Sequence, residues 1–369
     1  MKMKIDFFNT YVSETAPQIV TEVLNSGMLS EGEVTEAFEK KLIETFGFNH
    51  IVTLNSGTAA LHLALELCNI GLGDEVIIPA QTFIATGLSV LYCKAKPVFA
   101  DINYEDGNIS IESIKEKITP RTKAVICVHW GGYPCDMAEL KEICTEKNIF
   151  LIEDAAHALG STYKDQTIGN ISDVTCFSFQ AIKHLSTGDG GAIAFNNSSM
   201  LNLALQKKWF GIDRKNSAVS ELGERQYDLT TVGYKYHMNN YAAALGIANI
   251  EGYKTRLDKR VGLAAYYRSE LNAMNGINLF ENLLEKKSAY WLFGMHVERR
   301  LDFIRMLKAH GIPTSVVHQR IDRNSIFGGE NEDLIQQKRF DESQIHIPIH
   351  DAITVEIAEY ICHVIKKGW

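Results

Sequence analysis

The sequence predicts an α/β protein: a large domain on a seven-stranded, mostly parallel sheet, followed by a smaller C-terminal α+β domain. Three observations predict it. Seven short apolar, β-rich runs recur between Phe46 and Phe195, and amphipathic stretches alternate with them. The length of 369 residues suits two domains at roughly 100–200 residues each. Near-continuous apolar strands separated by helical patterns imply a sheet buried on both faces, hence parallel pairing.

The elements follow in order. The runs are Ile51–Leu54, Val76–Ile78, Pro97–Ala100, Ala124–Val128, Phe150–Ile152, Val174–Phe177 and Ala192–Phe195. Between them, Thr58–Cys68 sets Leu61, Leu65 and Cys68 on one stripe, with Gly71 and Gly73 as stop signals. Ser110–Ile118 ends before Pro120, and Met137–Lys147 carries Leu140, Ile143 and Cys144. Tyr241–Ala265 reads as one long helix leading out of the large domain, residues 1–250. Residues 251–369 mix strand-like and helix-like pieces (Trp291–Val297, Asp302–His310, Thr354–Lys366) and form the small domain.

Composition excludes several classes. Hydrophobic residues at 46% and charged residues at 22% are globular proportions, so disorder is excluded as the main character. A net charge of −8 argues against a nucleic-acid partner, which needs a basic face. Phosphate-bearing small molecules remain open, because backbone amides hold those. Seven cysteines, with no C-x-x-C pair and several in apolar contexts, read as reduced buried thiols of a cytoplasmic protein. No run approaches about 18 apolar residues and the first residues lack an apolar signal core, so neither a membrane partner nor secretion is expected. His346 and His350 have metal-like spacing, but Pro348 between them denies a shared helix face, and no metal is expected.

Three segments carry chemistry. In Asn55-Ser56-Gly57-Thr58 a strand gives way to a helix, capped by Ser56 or Thr58; Gly57 allows the turn, and the first helix amides make an anion site. Asp154 ends a buried strand, at the sheet edge where α/β proteins bind ligands, and a carboxylate there needs a cationic or hydrogen-bonding partner. Lys183 lies between a strand and a glycine-rich turn, five residues after Ser178; a partly apolar setting disfavours its ammonium form and makes it a usable nucleophile. Together they describe a pyridoxal 5′-phosphate (PLP) site. The helix start holds phosphate, Asp154 pairs with the pyridine nitrogen, and Lys183 is the covalent anchor. A dehydrogenase is disfavoured, since neither Gly71-x-Gly73 nor Gly188-x-Gly190 continues as G-x-G-x-x-G.

The segments NSGTAAL, VIIPAQTFIAT, VHWGGYPCDM, IEDAAHALGS, FSFQAIKHLSTGDGGAI and VGYKYHMNNYAAALG resemble the DegT/DnrJ/StrS sugar aminotransferases, PLP enzymes of the aspartate aminotransferase fold, type I. The resemblance implies catalytic roles for Lys183, as Schiff-base lysine and proton carrier, and for Asp154. It implies that Gly57, Thr58 and Ser178 cradle phosphate, that His157 contacts the ring oxygen and that Phe83 stacks on the ring. It implies a homodimer with shared sites, and a reaction that moves an amino group from glutamate to a nucleotide-linked keto sugar in amino-sugar or surface-polysaccharide biosynthesis. Two departures stand out. Lys235 replaces the asparagine of a GYNYR-like motif that reaches the cofactor phosphate across the dimer. His318-Gln-Arg320-Ile-Asp-Arg323 replaces an apolar stretch, and His318, Arg320 and Arg323 are substrate candidates whose arginines suit a phosphate or carboxylate. A small phospho-ketone is therefore the alternative substrate; a non-catalytic PLP-binding sensor or scaffold is the alternative of another class. A dehydrating subgroup carries histidine at the lysine position. Counting five from Ser178 gives Lys183, not His184, which favours transamination.

Overall fold

The computed structural model describes residues 4–214 and 216–369. All seven expected runs are strands of one sheet: β1 (His50–Leu54), β2 (Glu75–Pro79), β3 (Lys96–Ala100), β4 (Thr122–Val128), β5 (Phe150–Asp154), β6 (Val174–Ser178) and β7 (Gly191–Phe195). Their order is β1-β7-β6-β5-β4-β2-β3. Every pair is parallel except those of β7, which runs against both β1 and β6.

Burial on both faces is visible in the side-chain alternation. Ile77 and Leu151 join one apolar core, while their neighbours Val76, Ile78 and Ile152 join another on the opposite face. The first core is closed by helices Glu33–Phe46 and Asn240–Ile250, through Phe38, Leu42 and Ala243. The second is closed by helix Gly57–Leu67, through Leu61, Leu63 and Leu65. Gly246 lets the Phe38 ring lie against the helix backbone, where an added Cβ would meet it at 2.5 Å.

A third core gathers Leu263, Tyr267, Phe293, Phe303, Ile345 and Ile361 with Ile5 from the N-terminus. It packs around a three-stranded antiparallel sheet with Phe293–Val297 between Ile277–Leu279 and Gln344–Ile347. Helices Tyr253–Leu271, Arg300–Ala309 and Val355–Lys366 belong to it. The single helix expected over Tyr241–Ala265 is two. Asn240–Ile250 stops at Glu251, which is extended, and Gly252 at φ 67° turns the chain before Tyr253–Leu271 begins. Trp130, Trp291, Leu292, Ile102 and Phe340 form a small fourth cluster.

All seven cysteines are buried and unpaired. Among the described residues no helix is long and apolar enough to cross a membrane.

Candidate active site

The C-terminal ends of β1, β5 and β6 open on a cavity of about 360 Å3, a size suited to a small ligand. Gly57, Thr58, Phe83, Asp154, His157, Ser178, Lys183 and His318 all line it, together with Thr82 and Trp291.

One end of the cavity is built by the turn after β1. Ser56 is the helix cap: its Oγ accepts from Ala59 N at 3.0 Å. That leaves the amides of Gly57 and Thr58 with no acceptor inside the helix, at its positive end. A Cβ on Gly57 would lie 2.9 Å from Ser178 Cβ, so only glycine lets helix start and strand end approach this closely. Backbone amides and the Ser178 hydroxyl thus meet at one point, a set of donors suited to phosphate.

Asp154, the last residue of β5, is held rigidly. Thr86 Oγ1 donates to its Oδ2 at 2.8 Å, and Ala156 N donates to its Oδ1 at 3.2 Å. Thr86 lies 2.7 Å from the Thr82 hydroxyl; because Thr86 donates to the carboxylate, Thr82 donates to Thr86. Burial pushes the carboxyl up from its ordinary range, and the Thr86 bond, the Ala156 amide and Lys183 oppose that. Behind it, His129 Nε2 and Glu153 Oε2 pair at 2.8 Å, both fully buried, and His129 N donates to the Asp154 carbonyl.

Lys183 sits in the loop from β6 to β7, in a turn closed by its own N–H to Gln180 O. Burial lowers its amine to about 7, against the attraction of Asp154. Its Nζ lies 3.8 Å from the centroid of the Trp291 ring. His157 stacks on the same indole at 3.8 Å; burial and Lys183 keep it neutral, and its Nδ1 is buried without a partner. Phe83 is 51% exposed, with the His318 ring 5.0 Å away. His318 follows Val317, a β-branched residue at φ 62°, a costly conformation that turns the chain at the cavity wall.

Three sequence candidates fall elsewhere. Lys235 is exposed and does not line the cavity, although its carbonyl accepts from Asn55 Nδ2 at 3.1 Å, next to the helix start. Arg320 and Arg323 line a different cavity. Arg320 is buried in a two-pronged pair with Asp322 at 2.7 and 2.6 Å and also reaches Glu330 at 3.2 Å, so its charge is already matched inside the chain. Arg323 donates to Gln319 Oε1. Neither arginine lines the cavity that holds Lys183. His346 and His350 each bond a backbone carbonyl, those of Ser315 and Asp6. Thr82, Thr86 and Trp291 escaped sequence reasoning. The two threonines sit in an ordinary helix start and the tryptophan lies 108 residues beyond Lys183 in the chain.

A lysine of lowered basicity, a fixed carboxylate and a phosphate cradle on one cavity of such a sheet define a PLP-dependent enzyme. The chain belongs to the DegT/DnrJ/EryC1/StrS aminotransferase family, whose model matches residues 11–366. It is 31% identical to the GDP-perosamine synthase of Escherichia coli O157:H7, over 95% of this chain and 94% of that one. It superposes on AtS13 from Actinomadura melliaura with a TM-score of 0.95 at 31% identity, covering 99% of each chain. It also superposes on Spr1654 from Streptococcus pneumoniae, solved in a PLP form (TM-score 0.91, 27% identity, 99% and 98% covered) and in a PMP form. The protein is a PLP-dependent aminotransferase of that family.

Proposed function

We propose that this enzyme moves an amino group from glutamate to a nucleotide-linked keto sugar, giving an amino sugar for polysaccharide synthesis. The observation that carries the reading is the convergence of the Lys183 amine, the Asp154 carboxylate and the Gly57–Thr58 amides on one cavity. The sugar class rests on the relatives' names, and matching coverage of nearly the whole chain supports it. The phospho-ketone alternative rested on Arg320 and Arg323, and Arg320 is already neutralised by Asp322. The cytoplasm is the compartment we infer from seven unpaired thiols.

PLP, when bound, supplies an aldehyde carbon that carries the amino group and a ring that takes up the electron pair of a breaking Cα–H bond. The protein does the rest. Gly57 and Thr58 amides with Ser178 Oγ hold the phosphate. Asp154, fixed by Thr86 and Ala156, accepts from the pyridine N–H and favours its protonated form. The buried His157 Nδ1 is an unused polar atom that suits the ring oxygen. Lys183 Nζ, its basicity lowered by burial, would take the proton from donor Cα as base and, as acid, give it to the carbon on the far side of the transferred nitrogen. A second copy of the chain would bring Lys235 to the phosphate as a point charge.

Lys183→Ala is expected to abolish amino transfer, followed as 2-oxoglutarate release. A variant running near the wild-type rate overturns the assignment. Product masses from a panel of nucleotide-linked keto sugars and phospho-ketones identify the substrate; turnover of the phospho-ketones alone would reject the sugar reading.

A further inference from the structure

Lys183 is gripped from a distant part of the chain. The indole N–H of Trp291 donates to the Ile182 carbonyl at 3.0 Å, and the His184 imidazole bonds the Ala289 carbonyl at 2.9 Å. Both neighbours of the lysine are therefore tied to the segment 289–291, which enters the strand Phe293–Val297 of the small sheet. Tyr290, at φ 50°, turns the backbone just before Trp291. The indole itself is 1% exposed and fixed by rings: His157 lies at 3.8 Å and 16°, Phe8 at 5.1 Å and 22°. Among the described residues no hydrogen-bond acceptor takes Lys183 Nζ, and the indole is its close contact, 3.8 Å from the ring centroid.

We propose that Trp291 is the positioning residue for Lys183: its ring face seats the ammonium whenever the amine is not covalently engaged, and so sets both its place and its basicity. A ring quadrupole attracts the ammonium and not the free amine, so the contact favours the protonated form, most strongly where water is excluded. The other groups facing the lysine do not replace it. Among the described residues Asp154 is the one opposite charge acting on it, while His157, His184 and His318 are held neutral by burial. The seat counters the burial that would otherwise strip the proton, and keeps Lys183 able to act as acid as well as base. The inference rests on Lys183 being the cofactor lysine; Lys183→Ala with intact turnover would remove that premise, whereas the measurement below addresses Trp291 alone.

The test uses cofactor-free enzyme. Trace acetic anhydride labels the unprotonated amine, and the Lys183 peptide is quantified by mass spectrometry across pH. Wild type should show a midpoint near 7. Trp291→Leu should lower it by roughly 0.5–1.5 pH units, and Trp291→Phe, which keeps a ring face, should restore most of that drop. Fluorotryptophan incorporation weakens the ring quadrupole without changing its shape, and should lower the midpoint in an otherwise intact fold. Unchanged midpoints in Trp291→Leu and in the fluorinated protein, or a Phe variant falling as far as Leu, overturn the proposal.

Discussion

Thr86 shows how a residue without a motif reaches the chemistry. Its hydroxyl is the main protein donor to the Asp154 carboxylate, and Thr82 orients it in turn. A hydrogen bond to a charged group contributes about 1.5–3 kcal/mol. Thr86→Val keeps the side-chain volume and removes the donor, so amino transfer should slow by roughly 10-fold or more. Burial already raises Asp154, and losing Thr86 raises it further. The acid limb of the kcat/KM profile must then move to higher pH; an unmoved limb would show that Asp154 is ionised without Thr86. In the sequence, Asp154, Lys183 and Ser178 announce themselves because each sits at a strand end or beside a glycine-rich turn. Thr86 does not, because a threonine in the first turn of a helix is common and its partner is 68 residues away.

At the scale of elements, the seven strands were legible because burial on both faces leaves unbroken apolar runs. The helix break at Gly252 was not, since a glycine inside an apolar pattern is compatible with continuation. The Arg320 segment is ambiguous for a different reason. Two arginines beside His318 look like a ligand clamp, and only the fold reveals that Asp322, two residues on, is fully buried against one of them. Arg320→Ala should strand that carboxylate and cost about 3–5 kcal/mol in denaturant unfolding. The KM for the keto substrate should not change; a large rise in KM at unchanged stability would return Arg320 to the substrate. The helix start offers an opposite-sign test. Gly→Ala in a helix ordinarily stabilises by about 1 kcal/mol. At Gly57 the new Cβ meets Ser178 Cβ at 2.9 Å, so Gly57→Ala should instead weaken PLP binding by roughly 5- to 100-fold. Equilibrium dialysis with the cofactor reads this directly, and unchanged affinity would remove the phosphate from this turn.

Across the whole molecule, the buried Lys183 amine makes stability depend on pH. Lys183 titrates near 7 in the folded chain against an ordinary 10.5, so between those values the unfolded chain holds a proton that the folded chain lacks. Its contribution to stability therefore rises with pH across that window. His129 does not oppose it: the Cys135 amide donates to its Nδ1 at 3.1 Å, so that nitrogen carries no proton and the imidazole is neutral, with Nε2 turned to Glu153. Within that window a full proton difference is worth about 1.4 kcal/mol per pH unit. Cofactor-free Lys183→Ala loses this contribution. The slope of its urea-unfolding free energy against pH should lie below that of cofactor-free wild type by about 1.4 kcal/mol per unit between pH 7.5 and 9.5. Parallel curves would mean that Lys183 carries its proton in the folded enzyme as it does in water, and the cavity would then lack the reactive amine on which the aminotransferase chemistry depends.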